Sequence, residues 1–145
     1  MALERTLSIV KPDGVHQGVA GQIIGRFEAE GFRILAMKMV RLTRQQAEGF
    51  YVVHRERPFF SSLTRFTSSG PSIAVVLEGQ DAIRQLREAM GATDPAKAEE
   101  GTIRRAFASS VERNAVHGSD SASSAEFEIG YFFDALELCG GESES

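Results

Sequence analysis

Residues 72–78, SIAVVLE, carry no charge until their last position. An apolar run this short, bounded by Gly70-Pro71 on one side, reads as a fully buried strand. Such a strand sits at the centre of a sheet, so the rest of the chain has to be arranged to cover it. Leu7-Ser8-Ile9-Val10 reads as another short strand, stopped by Pro12 and Asp13-Gly14. From Val19 to Glu30 the apolar residues Ile23, Ile24 and Phe27 fall at helical spacing, and Gly31 stands where a helix C′ glycine belongs. Residues 32–42, FRILAMKMVRL, predict a long strand with one face buried and with Arg33, Lys38 and Arg41 at its wetter positions.

Thr43 and Gln46 form a candidate capping box for a helix carrying Ala47, Phe50 and Tyr51. Pro58 suits the first turn of a further short helix with Phe59, Leu63 and Phe66. After the central strand, Asp81 is a candidate cap for a helix with the stripe Ile83, Leu86 and Met90, closed by Gly91. Residues 91–113 show weak periodicity and read as a long loop, which in a small domain is usually functional or disordered. Ala115-Val116-His117 is a last short strand, and Ser123 with Glu126 can cap a last helix carrying Ala125, Ile129 and Phe132.

Strands alternating with helices in 145 residues predict the α/β class, as a ferredoxin-like α/β sandwich of the split βαβ type. The sheet has four strands, antiparallel, with covering helices. One domain over residues 1–138 is expected, followed by a solvated tail over 139–145.

Composition narrows the function. A net charge of -4 supplies no global field for nucleic acid or an anionic membrane, so a polyanionic ligand must be met by a local basic cluster. The single cysteine, Cys139, excludes an internal disulfide and a multi-cysteine metal site. The N-terminus does not read as a signal peptide, and no apolar run approaches membrane-spanning length. A cytoplasmic setting is the expectation.

NAVHGSD, residues 114–120, places an imidazole at the end of an apolar step and follows it with Gly118, Ser119 and Asp120. A lone histidine at a strand end is commonly structural. Here Gly118 lets the backbone turn sharply beside the ring, and Ser119 and Asp120 can bond the turn or hold the ring. Glu128, off the apolar stripe of the last helix, can reach back to the same place. An uncharged imidazole whose tautomer is fixed by a carboxylate is a competent nucleophile. Rival readings are weaker. His16, His54 and His117 show no metal-ligand spacing, and no GxSxG elbow accompanies Ser119 and Asp120.

NAVHGSD, together with ERTLSIVKPDGV at 4–15, RPFF at 57–60, GATDP at 91–95 and GTIR at 101–104, resembles the nucleoside diphosphate kinases. The likeness runs from about Glu4 to Phe133. It implies transfer of the γ-phosphate of a nucleoside triphosphate, mainly ATP, to a nucleoside diphosphate by a ping-pong cycle. His117 would be the nucleophile, through Nδ1, forming a phosphohistidine, with Ser119 and Glu128 orienting the ring. Lys11, Tyr51, Arg87, Thr93, Arg104 and Asn114 match the family's phosphate- and sugar-binding positions. Phe59 and Val111 match the residues that hold the base. Taken singly, Lys11 is an ordinary strand-end lysine, Arg87 and Arg104 ordinary surface charges, and Phe59 an ordinary core aromatic.

No resident metal site is expected; Mg²⁺ would come with the nucleotide, held by phosphate oxygens and water. The resemblance also implies a homo-oligomer, a tetramer in preference to a hexamer or dimer, because the chain ends soon after Phe133. Two departures stand out. Arg105-Ala106 replace a small residue and an aspartate, and Glu112 stands where many members carry glycine. They keep open a second reading, a catalytically impaired nucleotide-binding or interaction module of the same fold.

Overall fold

The computed structural model describes residues 3–140. Four strands, β1 (Leu3–Val10), β2 (Arg33–Val40), β3 (Ser72–Gln80) and β4 (Val116–Gly118), form one sheet in the order β2-β3-β1-β4. Every pairing is antiparallel: Leu7 faces Val76 across β1 and β3, Ile9 faces His117 across β1 and β4, and Met39 faces Ile73 across β2 and β3. Six α-helices lie in the connections, α1 (Pro12–His16), α2 (Ala20–Ala29), α3 (Arg44–Phe50), α4 (Phe60–Thr67), α5 (Ala82–Met90) and α6 (Ile103–Phe107), and a seventh, α7 (Ala122–Phe132), follows β4. This is the expected ferredoxin-like sandwich.

The apolar run of β3 follows from its place in the sheet. Ile73, Val75 and Leu77 pack on one face with Ile23 and Phe27 of α2, Leu86 and Met90 of α5, and Ile103 of α6. Ala74 and Val76 pack on the other with Ala47 and Phe50 of α3 and Phe132 of α7. With helices on both faces, an alternating strand would bury polar side chains without partners, so both sets are apolar.

Local signals set several element ends. The amide of Gly31, at φ 96°, donates to Glu28 O at 3.0 Å, and that of Phe32 donates to Phe27 O at 3.2 Å. This closes α2 in a Schellman motif, with Phe27 and Phe32 in the same core. Thr43 and Gln46 make the expected capping box of α3.

Other ends differ from the sequence reading. β1 ends at Val10 as expected, but it starts at Leu3, and Pro12 opens a helix the sequence reading did not include, α1, because proline fits the first helical turn. Asp81 does not cap α5. It lies at φ 47° and pairs with Arg84, while Glu4 Oε1, from β1, accepts the Ile83 amide at 3.1 Å. The cap of α7 is Ser121 with Ser124, not Ser123 with Glu126. The loop at 91–113 contains a 3-10 turn at Pro95–Lys97 as well as α6.

In β2 a bulge between Ile34 and Ala36 changes which residues face out. Met37 and Met39 are exposed on this edge strand. Lys38 turns the other way and donates to Phe132 O at 2.8 Å. Of the expected tail, Cys139 donates its amide to Leu35 O at 2.8 Å, and residues 141–145 lie outside the described residues.

Candidate active site

The end of β1 lies beside the start of β4, and the chain after β1 is tied to the chain before β4. Lys11 N donates to Ala115 O at 2.8 Å, and Ala115 N donates to Asp13 Oδ2 at 2.9 Å. Ala115 has φ 72°, and Val116 N donates to Asn114 O at 2.8 Å, so Asn114–Val116 form a γ-turn with a buried alanine at its centre. A positive φ at a β-branched-free but non-glycine residue is strained, and the strain persists because Asp13 and the Lys11 backbone hold both sides of the turn. The turn aims Asn114 and His117 into the same space.

His117 sits on β4 with its ring edge-on to Phe50 at 5.4 Å and to Tyr51 at 5.8 Å. Its Nε2 lies 2.8 Å from Glu128 Oε1. Ser119 Oγ donates to the same carboxylate oxygen at 2.7 Å. The carboxylate is acceptor-only when ionised, so Nε2 carries the hydrogen and Nδ1 keeps its lone pair. Among the described residues Nδ1 has no partner. Ser119 is itself buried, between Leu7 and Glu128, which fixes the carboxylate from behind.

The cavity in front of the ring is about 830 Å³. Lys11, Tyr51, Phe59, Arg87, Thr93, Arg104, Val111, Asn114, His117 and Glu128 all line it. Ser119 does not; it acts behind Glu128. A more open groove of about 1100 Å³ meets the cavity at Arg87, Thr93 and Arg104. Gly118, expected beside the ring, lines the cavity; His54 and Leu63 do so too, and nothing in their spacing points to a site in the sequence. His54 stacks on Tyr51 at 6.3 Å and tilts against Phe59 at 5.5 Å, so it joins the ring end of the cavity to its mouth.

Three cations face this space, and none belongs to an ion pair among the described residues. Lys11 Nζ donates to Glu112 O and to Asn114 Oδ1, both at 2.9 Å. Arg104 donates to Gly91 O at 3.0 Å and to Val116 O at 2.9 Å. Arg87 reaches Gly118 O at 3.4 Å. Neutral oxygens orient these groups without cancelling their charge.

Burial, opposed by Asp13 and reinforced by Arg104, brings the Lys11 ammonium down to about 8. Burial and the Arg87 charge bring Arg104 down to about 10. Both shifts record the same fact: positive charge is held in a buried place at a cost, which an arriving anion would offset. Burial pushes the Tyr51 phenol well up, so it is a neutral hydrogen-bonding group.

Among the described residues no cluster of three or more His, Cys, Asp or Glu is placed to cage a metal. Arg105 is not part of the cavity lining; its Nη1 donates to Ala98 O at 3.2 Å and braces the loop before α6.

A histidine with one ring nitrogen tied to a carboxylate and the other open to a cationic cavity is the arrangement of a phosphotransferase. The comparisons with known proteins agree. The family model described as nucleoside diphosphate kinase matches residues 4–138. The nucleoside diphosphate kinase of Desulfosudis oleivorans is 62% identical over 138 residues, covering 95% of this chain and 99% of its own. That of Anaeromyxobacter is 60% identical over 133 residues, covering 92% and 91%.

Among solved structures, the Aquifex aeolicus nucleoside diphosphate kinase superposes with a TM-score of 0.93 at 51% identity, covering 94% of this chain and 99% of its own. The Halobacterium salinarum nucleoside diphosphate kinase, in complex with CDP, also gives 0.93 at 41% identity, covering 99% and 95%. The chain belongs to the nucleoside diphosphate kinase family, and its activity is that family's phosphotransfer.

Proposed function

We propose that His117 carries the reaction, taking the γ-phosphate of a nucleoside triphosphate on Nδ1 and passing it to a nucleoside diphosphate. The observation that carries this is the 2.8 Å contact of Nε2 with Glu128 Oε1, which leaves Nδ1 as the nucleophile. In the first half-reaction Nδ1 attacks the γ-phosphorus, the bond to the β–γ bridging oxygen breaks, and the diphosphate leaves. Glu128 stabilises the positive charge that the ring gains. In the second half-reaction the terminal oxygen of another diphosphate attacks the same phosphorus and Nδ1 leaves.

Lys11, Arg87 and Arg104 neutralise the phosphates, while Tyr51, Thr93 and Asn114 supply hydrogen bonds to phosphate and sugar. A base lies between Phe59 and Val111. An aromatic face reads few base edges, which supports use of all common bases. Mg²⁺ enters as part of the substrate, held mainly by phosphate oxygens and water. Residues 1–138 act as one domain, in the cytoplasm, within a homo-oligomer, a tetramer in preference to a hexamer or dimer.

The test is intact-protein mass spectrometry after incubation with ATP. A gain of one phosphoryl group that GDP erases, lost in His117→Ala, is the expected result. Nucleotide binding with no phosphoenzyme in the unmodified chain would select the impaired module instead.

A further inference from the structure

The two walls at the mouth of the cavity come from distant parts of the chain. Phe59, just before α4, forms one, and Val111, in the segment leading to β4, forms the other; they are 48% and 56% exposed. One side-chain hydrogen bond joins the walls beside them: Ser62 Oγ, in the first turn of α4, donates to Glu112 Oε2. The backbone of Glu112 faces the other way, its carbonyl accepting from Lys11 Nζ at 2.9 Å. Asn114 Oδ1 accepts from the same ammonium at the same distance. Glu112 thus grips the phosphate end of the cavity through its backbone and the opposite wall through its side chain. Arg113 adds a second brace on α4, its guanidinium 4.9 Å from the Phe66 ring centre. A glycine at position 112 would offer no side chain to reach Ser62.

We propose that Glu112 is a positioning residue whose hydrogen bond with Ser62 fixes the gap between Phe59 and Val111 in which the base is held. This rests on the base-binding role given to those two residues above. A slot held at one width before the ligand arrives leaves less ordering to be done on binding. Neither side chain bonds His117 or Glu128, so the effect falls on nucleotide capture and release, not on phosphoryl transfer. A glutamine at 112 keeps an oxygen that accepts from Ser62 and drops the charge, which separates the tie from the electrostatics.

The experiment measures KM for ADP and GDP, kcat, and the inhibition constant of inorganic tripolyphosphate, a ligand with phosphates and no base. The variants are Ser62→Ala, Glu112→Ala, Glu112→Gln and the double alanine variant. Ser62→Ala and Glu112→Ala should each raise KM about five- to tenfold. The double variant should be no worse than either, since both remove one interaction. Glu112→Gln should stay within about twofold of the parent, with kcat unchanged throughout and tripolyphosphate inhibition no weaker in any variant, since losing the Glu112 charge beside Lys11 can only favour a polyanion.

Unchanged KM in both alanine variants would overturn the proposal. So would tripolyphosphate binding that weakens in step, or a glutamine variant as impaired as the alanine one. Phosphoenzyme formation from ATP, followed in the same samples, separates the two levels. If it persists while KM is unmoved, the positioning role alone fails; if the parent chain forms none, the reading of the site fails.

Discussion

Lys11 offers a quantitative test of whether the cavity holds charge in reserve. Lys11 is 5% exposed, and among the described residues its ammonium is hydrogen-bonded only to a carbonyl and an amide oxygen. It releases its proton at about 8 in the folded chain against 10.5 ordinarily. At pH 7.5 both folded and unfolded chains hold the proton, and folding bears nearly the whole penalty, about 3 kcal/mol. At pH 9.5 the folded chain has released it while the unfolded chain still binds it. The unfolded state then binds more protons, so stability rises with pH through this window, fully recovered only above the unfolded value. Between pH 7.5 and 9.5 the gain from this one group is about 2 kcal/mol.

Other groups titrate in the same range, so the measurement is a difference. Urea unfolding of the nucleotide-free protein and of Lys11→Met at pH 7.5, 8.5 and 9.5 should show the parent gaining about 2 kcal/mol relative to the variant. Nucleotide binding supplies the complementary reading. Triphosphate in the cavity restores the lysine's proton, so at pH 8.5 binding should take up roughly 0.7 proton. Calorimetry in two buffers of different ionisation enthalpy measures this, and Lys11→Met should abolish it. A stability difference that stays flat or falls with pH would refute the idea that the empty cavity holds Lys11 charged against its surroundings.

Three further substitutions probe other parts of the site. Glu128→Gln removes the charged acceptor shared by His117 and Ser119; phosphoenzyme formation by rapid quench should slow about 10- to 100-fold while nucleotide binding is kept. Phe59→Ala should raise KM for every base about 5- to 30-fold and leave urea stability within about 0.5 kcal/mol, because the ring is half exposed. Gly91→Ala should destabilise by about 2–4 kcal/mol, since φ 86° with ψ -178° is glycine territory and a Cβ there would stand 2.6 Å from Thr102 Oγ1. A melting temperature lowered by less than about 3 °C would contradict it. Because Gly91 O orients Arg104, kcat/KM should fall as well.

What could be read from the sequence divides by the distance over which each feature is decided. The Schellman end of α2 and the capping box of α3 depend on residues a few positions apart, and both were legible. The cap of α7 is equally local, yet SDSASS offers several qualifying serines, and the backbone angles of Ser121, not residue type, choose among them. The Glu4 cap of α5 comes from another strand, so Asp81 was the natural but mistaken choice. Of the wet positions expected along 32–42, Arg33 and Arg41 are exposed, but Lys38 turns toward Phe132, because a bulge resets the phase of β2 and has no mark in FRILAMKMVRL.

The site follows the same division at longer range. Glu128 is eleven residues from His117 on the next helix, close enough for its reach to be foreseen. Lys11, Arg87 and Arg104 had nothing in their neighbours to distinguish them from surface charges; the family motifs grouped them. Their distinguishing property is tertiary. Asp13, the carboxylate two residues from Lys11, spends one oxygen on the Ala115 amide instead of pairing with that lysine. Arg104 is likewise oriented by two carbonyls. In a chain of net charge -4, acids are plentiful, and any of them placed beside these cations would have stabilised the empty fold. With no acidic partner among the described residues, the three keep their charge free, which gives the cavity a local positive field that the protein as a whole lacks.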